Sequence, residues 1–233
     1  MAMMRLDKLI SASGRWSRSE VKALVRAGRV TVDGFPAAAA DEKYDEAAAI
    51  CVDGQRLNCA RYRYLMLYKP AGVLSATEDA AQETVLDLLP KELQKLGLAP
   101  VGRLDKDTTG LLLLTNDGAF SHRIISPRHH IPKVYRAVVD GVLDAADVGA
   151  FRDGIVLADG TRCLPAELKI DSFSVGIVTV YEGKYHQIKR MFAARGKPVT
   201  ALHRRSIGGL ALDGGLAPGE WRELTEAELD LLL

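Results

Sequence analysis

Four consecutive leucines, Leu111 to Leu114, cannot alternate between a core and solvent, so they predict a strand buried on both faces. Asn116-Asp117-Gly118 closes that strand with turn residues. Between Gly102 and Gly110, just ahead of it, stand Arg103, Asp105, Lys106, Asp107, Thr108 and Thr109, which have no reason to enter a core. A polar loop anchored to a buried strand is a rigid mount for a reactive group.

The rest of the pattern divides the chain. Leu6, Leu9 and Ile10 share one helical face. Ser17-Arg18-Ser19-Glu20 has capping-box spacing, so a helix carrying Val21, Leu24 and Val25 begins near Ser17, and Gly28 ends it. Val30-Thr31-Val32 before Asp33-Gly34 alternates like a strand entering a turn. Further on, Tyr64 to Tyr68 predicts a strand stopped by Lys69-Pro70-Ala71-Gly72, and Val85, Leu86, Leu88 and Leu89 predict a short helix ending at Pro90. A helix over Ala119 to Ile125, strands over Tyr135 to Val139 and Val175 to Tyr181, and a helix over Lys184 to Arg195 closed by Gly196 complete the middle. Thr225-Glu226-Ala227-Glu228 is a second capping box, opening a C-terminal helix over Leu229, Leu231 and Leu232. Strands with interspersed helices, without strict βαβ repeats, give an α+β fold: a small helical domain over 1–60 and a larger domain over 61–233.

An apolar content of 48% over 233 residues can fill such cores. No apolar run approaches the roughly 20 residues needed to span a bilayer. Met1-Ala2-Met3-Met4 leads straight to Arg5 and Asp7 without a signal-peptide pattern, so the expected location is the cytoplasm. Cys51, Cys59 and Cys163 are scattered and odd in number, which argues against a disulfide framework and a zinc site. With a net charge of only +1, a nucleic-acid partner must be held by local patches. One exists: Arg5, Lys8, Arg15, Arg18, Lys22, Arg26 and Arg29 face only Asp7 and Glu20, and Asp41, Glu42, Asp45 and Glu46 follow. Lys22, Arg26 and Arg29 recur at helical spacing, which suits either a solvated face or a binding face.

Taken alone, Asp105 and Asp107 suit a glycosidase-like pair, since residues i and i+2 of an extended segment point the same way. Such a pair needs one protonated acid, whereas the adjacent Arg103 and Lys106 favour ionised carboxylates. A purely structural role, with Asp105 pairing Arg103 or capping a turn, is the plainer alternative. His129-His130 lacks acidic or thiol partners at ligand spacing, so RNA or loop contact is favoured over metal. Thr108 and Thr109 are expected to brace the loop by hydroxyl bonds to backbone, and Tyr185 to sit in the core.

Longer motifs go further. Arg5-Leu6-Asp7-Lys8-Leu9, Ser17-Arg18-Ser19-Glu20-Val21 and Gly28-Arg29-Val30-Thr31-Val32-Asp33-Gly34 resemble the S4 RNA-binding domain, which implies RNA contacts at Arg5, Arg15, Arg18, Lys22 and Arg29. Lys69-Pro70-Ala71-Gly72-Val73, Gly102-Arg103-Leu104-Asp105 with Thr109-Gly110-Leu111-Leu112, Lys133-Val134-Tyr135, and Glu182-Gly183-Lys184-Tyr185-His186-Gln187-Ile188-Lys189-Arg190-Met191-Phe192 occur in the order of the RsuA-type pseudouridine synthases. Ser126-Pro127-Arg128-His129-His130, Arg205-Ser206-Ile207-Gly208-Gly209 and Leu216-Ala217-Pro218-Gly219-Glu220 are similar to the members acting on small-subunit rRNA.

The resemblance implies a catalytic domain built on a mixed, mostly antiparallel sheet flanked by helices. It implies Asp105 as the catalytic aspartate, Tyr135 stacking on the target base, Lys189 pairing with the aspartate and Leu202 packing beside the base. Arg190 competes for the pairing role, since many members of the family carry arginine at this site, and neighbouring helical side chains diverge by about 100 degrees, so the two point different ways. Arg103, Arg128, His129, His130, His186 and Arg190 are implied as further RNA contacts. The implied activity is isomerisation of one uridine to pseudouridine in 16S rRNA, by a monomer acting on RNA or on a partly assembled ribonucleoprotein. The target base must be extruded from the RNA at a cost of a few kcal/mol. No metal or other cofactor is expected. The alternatives are a noncatalytic RNA-binding or ribosome-assembly factor, a synthase acting on large-subunit rRNA, and a carbohydrate hydrolase.

Overall fold

The computed structural model describes residues 3–232. Met1, Ala2 and Leu233, which the domain ranges and the N-terminal reading above include, lie outside the described residues. The chain forms two compact units, one reaching to Arg63 and joined by Leu89–Leu98, the other made of Tyr64–Leu88 and of Ala99 onward. The ten residues Leu89–Leu98 thus group with the N-terminal unit although the chain on both sides of them belongs to the second.

That first unit contains β1 (Met3–Arg5), α1 (Leu6–Ser11), α2 (Arg18–Arg26), β2 (Val30–Val32), β3 (Phe35–Pro36), β4 (Lys43–Asp45), β5 (Ile50–Val52), β6 (Gln55–Arg56) and α3 (Lys91–Gln94). Ser17 and Glu20 cap α2 reciprocally, the Ser17 amide donating to the Glu20 carboxylate at 2.6 Å. Leu6, Leu9, Ile10, Val21, Leu24 and Val25 from the helices meet Val30, Val32, Ile50 and Val52 from the strands. Gly14, at φ +77, lets the turn after α1 approach α3, since a Cβ there would stand 2.1 Å from the Glu92 carbonyl oxygen. The unit is richer in strand than its helical stripes suggest, with β3-β2-β5-β6 forming an antiparallel sheet and β1 pairing β4.

The second unit comprises β7 (Tyr64–Lys69), β8 (Ala99–Pro100), β9 (Thr109–Thr115), α4 (Gly118–Ile125), β10 (Lys133–Val139), α5 (Ala145–Asp153), β11 (Glu167–Ser172), β12 (Val175–Val180), α6 (Gln187–Ala194), β13 (Val199–Ile207), β14 (Leu210–Ala211), β15 (Trp221–Glu223) and α7 (Glu226–Asp230). Its mixed sheet runs β11-β12-β10-β13-β9-β7-β15, with β14 on β13 and β8 on β9. Pairing is antiparallel except between β9 and β13, where His203 faces Thr109 and Arg204 faces Gly110. The leucine run lies in the interior of this sheet, between β13 and β7, and all four side chains are buried. Leu111 and Leu113 pack with Phe120 and Ile124 of α4, while a second cluster joins Phe151 of α5 to Met191 and Phe192 of α6.

One local reading needs correction. The apolar residues Val85 to Leu89 form turns, because the Asp87 carboxylate accepts from both the amide and the hydroxyl of Thr84, at 2.8 Å each, and ties the segment locally. The His129-His130 pair lies on irregular backbone: Pro127–His129 is a 3-10 turn and His130 is left-handed, at φ +49.

Candidate active site

The loop from Val101 to Thr108 is fixed from below before any ligand arrives. Lys69, the last residue of β7, has no solvent exposure (0%), and its ammonium donates to the carbonyls of Pro70, Lys106 and Thr108 at 2.9, 3.2 and 3.0 Å. Burial draws the pKa of that ammonium down to about 8, while Asp107 and Asp105 favour its charge. The Ser75 hydroxyl donates to the Leu104 carbonyl at 2.8 Å and accepts from the Leu104 amide at 3.1 Å. The Gly72 amide donates to the Lys106 carbonyl at 2.8 Å. Two motifs about 30 residues apart thus hold one loop, and Asp105 is its inward-facing acid.

The partner of Asp105 comes from α6. Lys189 Nζ lies 2.9 Å from Asp105 Oδ2 and 2.5 Å from Asp107 Oδ1, so one ammonium bridges both acids. Burial works against the charge on Lys189, but hydrogen bonds to the two carboxylates outweigh it and its pKa ends above the ordinary value. Lys189 in turn holds Asp107 below the usual carboxylate range. Arg190 points elsewhere: its guanidinium lies 2.5 Å from Asp159 and donates to the Tyr185 carbonyl at 3.3 Å. His186, left-handed at φ +48 on the threshold of α6, brings Nε2 to 3.4 Å from Asp105 Oδ1. A buried network braces this entry, with the Gln187 side chain donating to Glu182 and accepting from the Lys184 amide, both at 2.9 Å, and Lys184 pairing with Glu182.

Opposite these groups, Tyr135 on β10 and Leu202 on β13 line the same cavity, whose volume is ≈ 850 Å³. Beneath Tyr135 sits Arg204, only 3% exposed. Its Nε donates to the Leu111 carbonyl at 2.7 Å and Nη1 to the Tyr135 hydroxyl at 3.3 Å, while Nη2 has no partner among the described residues. The sequence reading passed over Arg204, although the period of two that places Leu202 at the cavity places Arg204 there as well. Lys133 likewise turns inward, donating to the Ile131 carbonyl at 2.9 Å. The close crossing of β9 and β13 depends on Gly110, at φ +107, where a Cβ would lie 2.2 Å from the Arg204 carbonyl oxygen.

The two threonines differ. Thr108 is buried and its hydroxyl has no partner among the described residues, whereas the Thr109 hydroxyl donates to the backbone carbonyl of Leu202 at 3.5 Å and meets His203 Nδ1 at 2.9 Å. Tyr185, expected in the core, is 76% exposed at the cavity. Arg103, Arg128, His129 and His130 are exposed, and Arg103 lines the cavity. In the N-terminal unit Arg15, Arg18 and Lys22 are exposed, Arg5 pairs with Asp7 at 2.8 Å and Arg29 with Asp53 at 2.5 Å. No group of three or more His, Cys, Asp or Glu side chains able to hold a metal occurs among the described residues.

Comparison with known proteins identifies this architecture. The RNA pseudouridylate synthase family matches residues 63–194, more than half of the chain, and the S4 domain matches residues 4–41. The chain belongs to the RNA pseudouridylate synthase family. This pseudouridylate synthase is 47% identical to an uncharacterized RNA pseudouridine synthase of Bacillus subtilis, over 98% of each chain. It is 43% identical to ribosomal small subunit pseudouridine synthase A of Escherichia coli K12, over 97% of this chain and 98% of that one. A crystal structure of a pseudouridylate synthase superposes with a TM-score of 0.71 at 36% identity, covering 99% of this chain and 100% of the other. The synthase is thus an isomerase with an N-terminal S4 domain. Among the described residues, no helix is long and apolar enough to cross a membrane.

Proposed function

We propose that this protein converts one uridine of small-subunit rRNA to pseudouridine, with Asp105 as the reacting carboxylate. The observation that carries the reading is the Asp105 to Lys189 contact of 2.9 Å on a cavity that Tyr135 and Leu202 also line. The reaction breaks the bond from ribose C1′ to N1 and joins C1′ to C5 of the same uracil. C5 loses a proton and N1 gains one, so atoms and electrons balance without a cofactor. Asp105, with the Lys189 ammonium 2.9 Å from its carboxylate, either attacks the nucleotide or takes a ribose proton. Tyr135 stacks on the extruded uracil, Leu202 packs beside it, and the Tyr135 hydroxyl relays the C5 proton to solvent, giving up its own proton as it takes that one. Stacking of one base recovers about 1–3 kcal/mol of the cost of extrusion.

Small-subunit rRNA is favoured because the relatives of that name, such as those of Escherichia coli and Vibrio cholerae, are 43% and 42% identical along nearly the whole chain. The basic face of the N-terminal unit, with Arg15, Arg18 and Lys22, supplies binding energy remote from the reacting base, and the rim residues Arg103, Arg128, His129 and His130 add phosphate contacts nearby. The protein works as a monomer in the cytoplasm, on the rRNA or on an assembly intermediate.

The test is tritium release from C5-labelled small-subunit rRNA and from partly assembled small subunits, by wild type and Asp105→Asn. Release by wild type and its loss in Asp105→Asn are expected. Undiminished release by the variant removes Asp105 from the mechanism, and no release by wild type on either substrate favours a noncatalytic assembly factor. Mapping pseudouridine in rRNA from cells lacking the protein identifies the target and separates the small subunit from the large.

A further inference from the structure

Tyr185 stands out because a large ring is left in water at the entrance of an otherwise organised cavity. One face of the ring stacks on His186, with centroids 3.8 Å apart and planes 17° from parallel, and the residue remains 76% exposed. The same His186 reaches Asp105 at 3.4 Å, so a continuous column runs from the reacting carboxylate through the imidazole to the phenol ring. The fold holds this column in place. His186 accepts a left-handed backbone at φ +48, which side chains other than glycine adopt only at a cost. Arg190 fixes the Tyr185 carbonyl at 3.3 Å and is itself held by Asp159.

We propose that Tyr185 and His186 form a second base-stacking platform, which receives an unpaired nucleobase flanking the target uridine. This inference rests on the reading of the cavity as the uridine site. Extruding the target strips a neighbouring base of one stacking partner, and an aromatic face at the cavity entrance replaces it. Such a platform accepts any base, because every base has a π-face, so it adds affinity without adding sequence preference. His186 serves as the inner layer of the stack, and not as a phosphate contact.

The experiment measures tritium release by the full chain on a C5-labelled small-subunit rRNA transcript, for wild type, Tyr185→Ala and Tyr185→Phe. Loss of one stacked base is expected to raise KM by about five- to a hundredfold in Tyr185→Ala while kcat stays within about twofold. Tyr185→Phe keeps the ring and should restore most of the lost affinity. The salt dependence of KM should keep its slope in Tyr185→Ala, since no phosphate contact is removed. Tyr185→Trp supplies a direct probe: its fluorescence should be quenched by poly(U) and left unchanged by inorganic polyphosphate, which has charge but no bases. Wild-type KM in Tyr185→Ala, a flattened salt slope, or equal quenching by polyphosphate would overturn the platform while leaving the uridine site intact. Absence of tritium release by wild type overturns the uridine reading and the platform with it.

Discussion

Replacing Gly110 by alanine tests the junction on which the site depends. At φ +107 an L side chain is strained, and strained backbone of this kind costs about 1–3 kcal/mol. The added Cβ would also stand 2.2, 2.7 and 2.9 Å from the O, N and C atoms of Arg204. All three are backbone atoms, so no rotamer change relieves the overlap and the strands must part. Overpacking adds about 1–3 kcal/mol, which makes the expected loss about 2–6 kcal/mol, a large share of an ordinary domain's stability. The two tryptophans give each unit its own reporter, Trp16 in the first and Trp221 on β15 in the second. In urea titrations of Gly110→Ala in a Trp16→Phe background, the Trp221 transition should move by about 0.7–2 M, taking m of about 3 kcal/mol/M at the upper end of its usual range. In a Trp221→Phe background, the Trp16 transition should hold its wild-type midpoint. Activity should fall further than stability alone dictates, because the junction sets the spacing between the Asp105 loop and the Leu202 strand, and a misplacement of about 1 Å can cost 10²-fold. A Trp221 midpoint and a kcat both at wild-type values would refute the reasoning.

Three other outcomes are expected. Arg204→Met removes the donor to the Tyr135 hydroxyl and should lower kcat with little change in KM; Arg204→Lys should not rescue it, because an ammonium lacks the guanidinium fork, and full rescue in single-turnover tritium release would refute that role. Asp147 is buried, and although burial opposes its charge, Lys197 and Arg195 hold its pKa below the ordinary carboxylate value. A lowered carboxylate contributes stability that is present above the unfolded pKa, near 4, and is lost as pH falls through the folded value; Asp147→Asn should therefore cost on the order of 2 kcal/mol at neutral pH in urea unfolding, and an equal gap persisting at the acid end of the transition contradicts it. Neutralising Arg15, Arg18 and Lys22 together should flatten the slope of log K against log salt by about 2–3 in filter binding to small-subunit rRNA, and an unchanged slope removes those side chains from the RNA face.

Much of the fold was legible because its signals are local. The capping boxes at Ser17 and Thr225 mark helix starts to within a residue, and four unbroken leucines declare the interior of a sheet. What escaped depends on distant partners. Nothing near Lys189 and Arg190 decides which faces Asp105, since the phase of α6 is set by the left-handed His186 and by the Gln187 to Glu182 network. Thr109 finds its partners, the Leu202 carbonyl and His203 Nδ1, 93 and 94 positions away on β13, where local turn rules predict backbone within the loop. Val85 to Leu89 has the spacing of a helix, but side-chain bonds from Asp87 to Thr84 compete with it, and Leu89–Leu98 then belongs to the other unit. Lys69 shows the same limit: it reads as the stop of a strand, and only the returning loop reveals that it is the last strand residue and serves carbonyls.

The parallel pairing of β9 with β13 has a consequence for the order in which the protein comes into being. Its registered pair Thr109 and His203 lies far apart along the chain, with every strand and helix from α4 to α6 between them. During vectorial synthesis the leucine strand is therefore made long before the neighbour that covers it, and at about 5–20 residues per second the wait lasts several seconds. Asp105 meets Lys189 and shares a wall with Leu202 only once those late segments have emerged. The walls of the cavity can thus come together only after β13, the last of the strands that line it, has been synthesised.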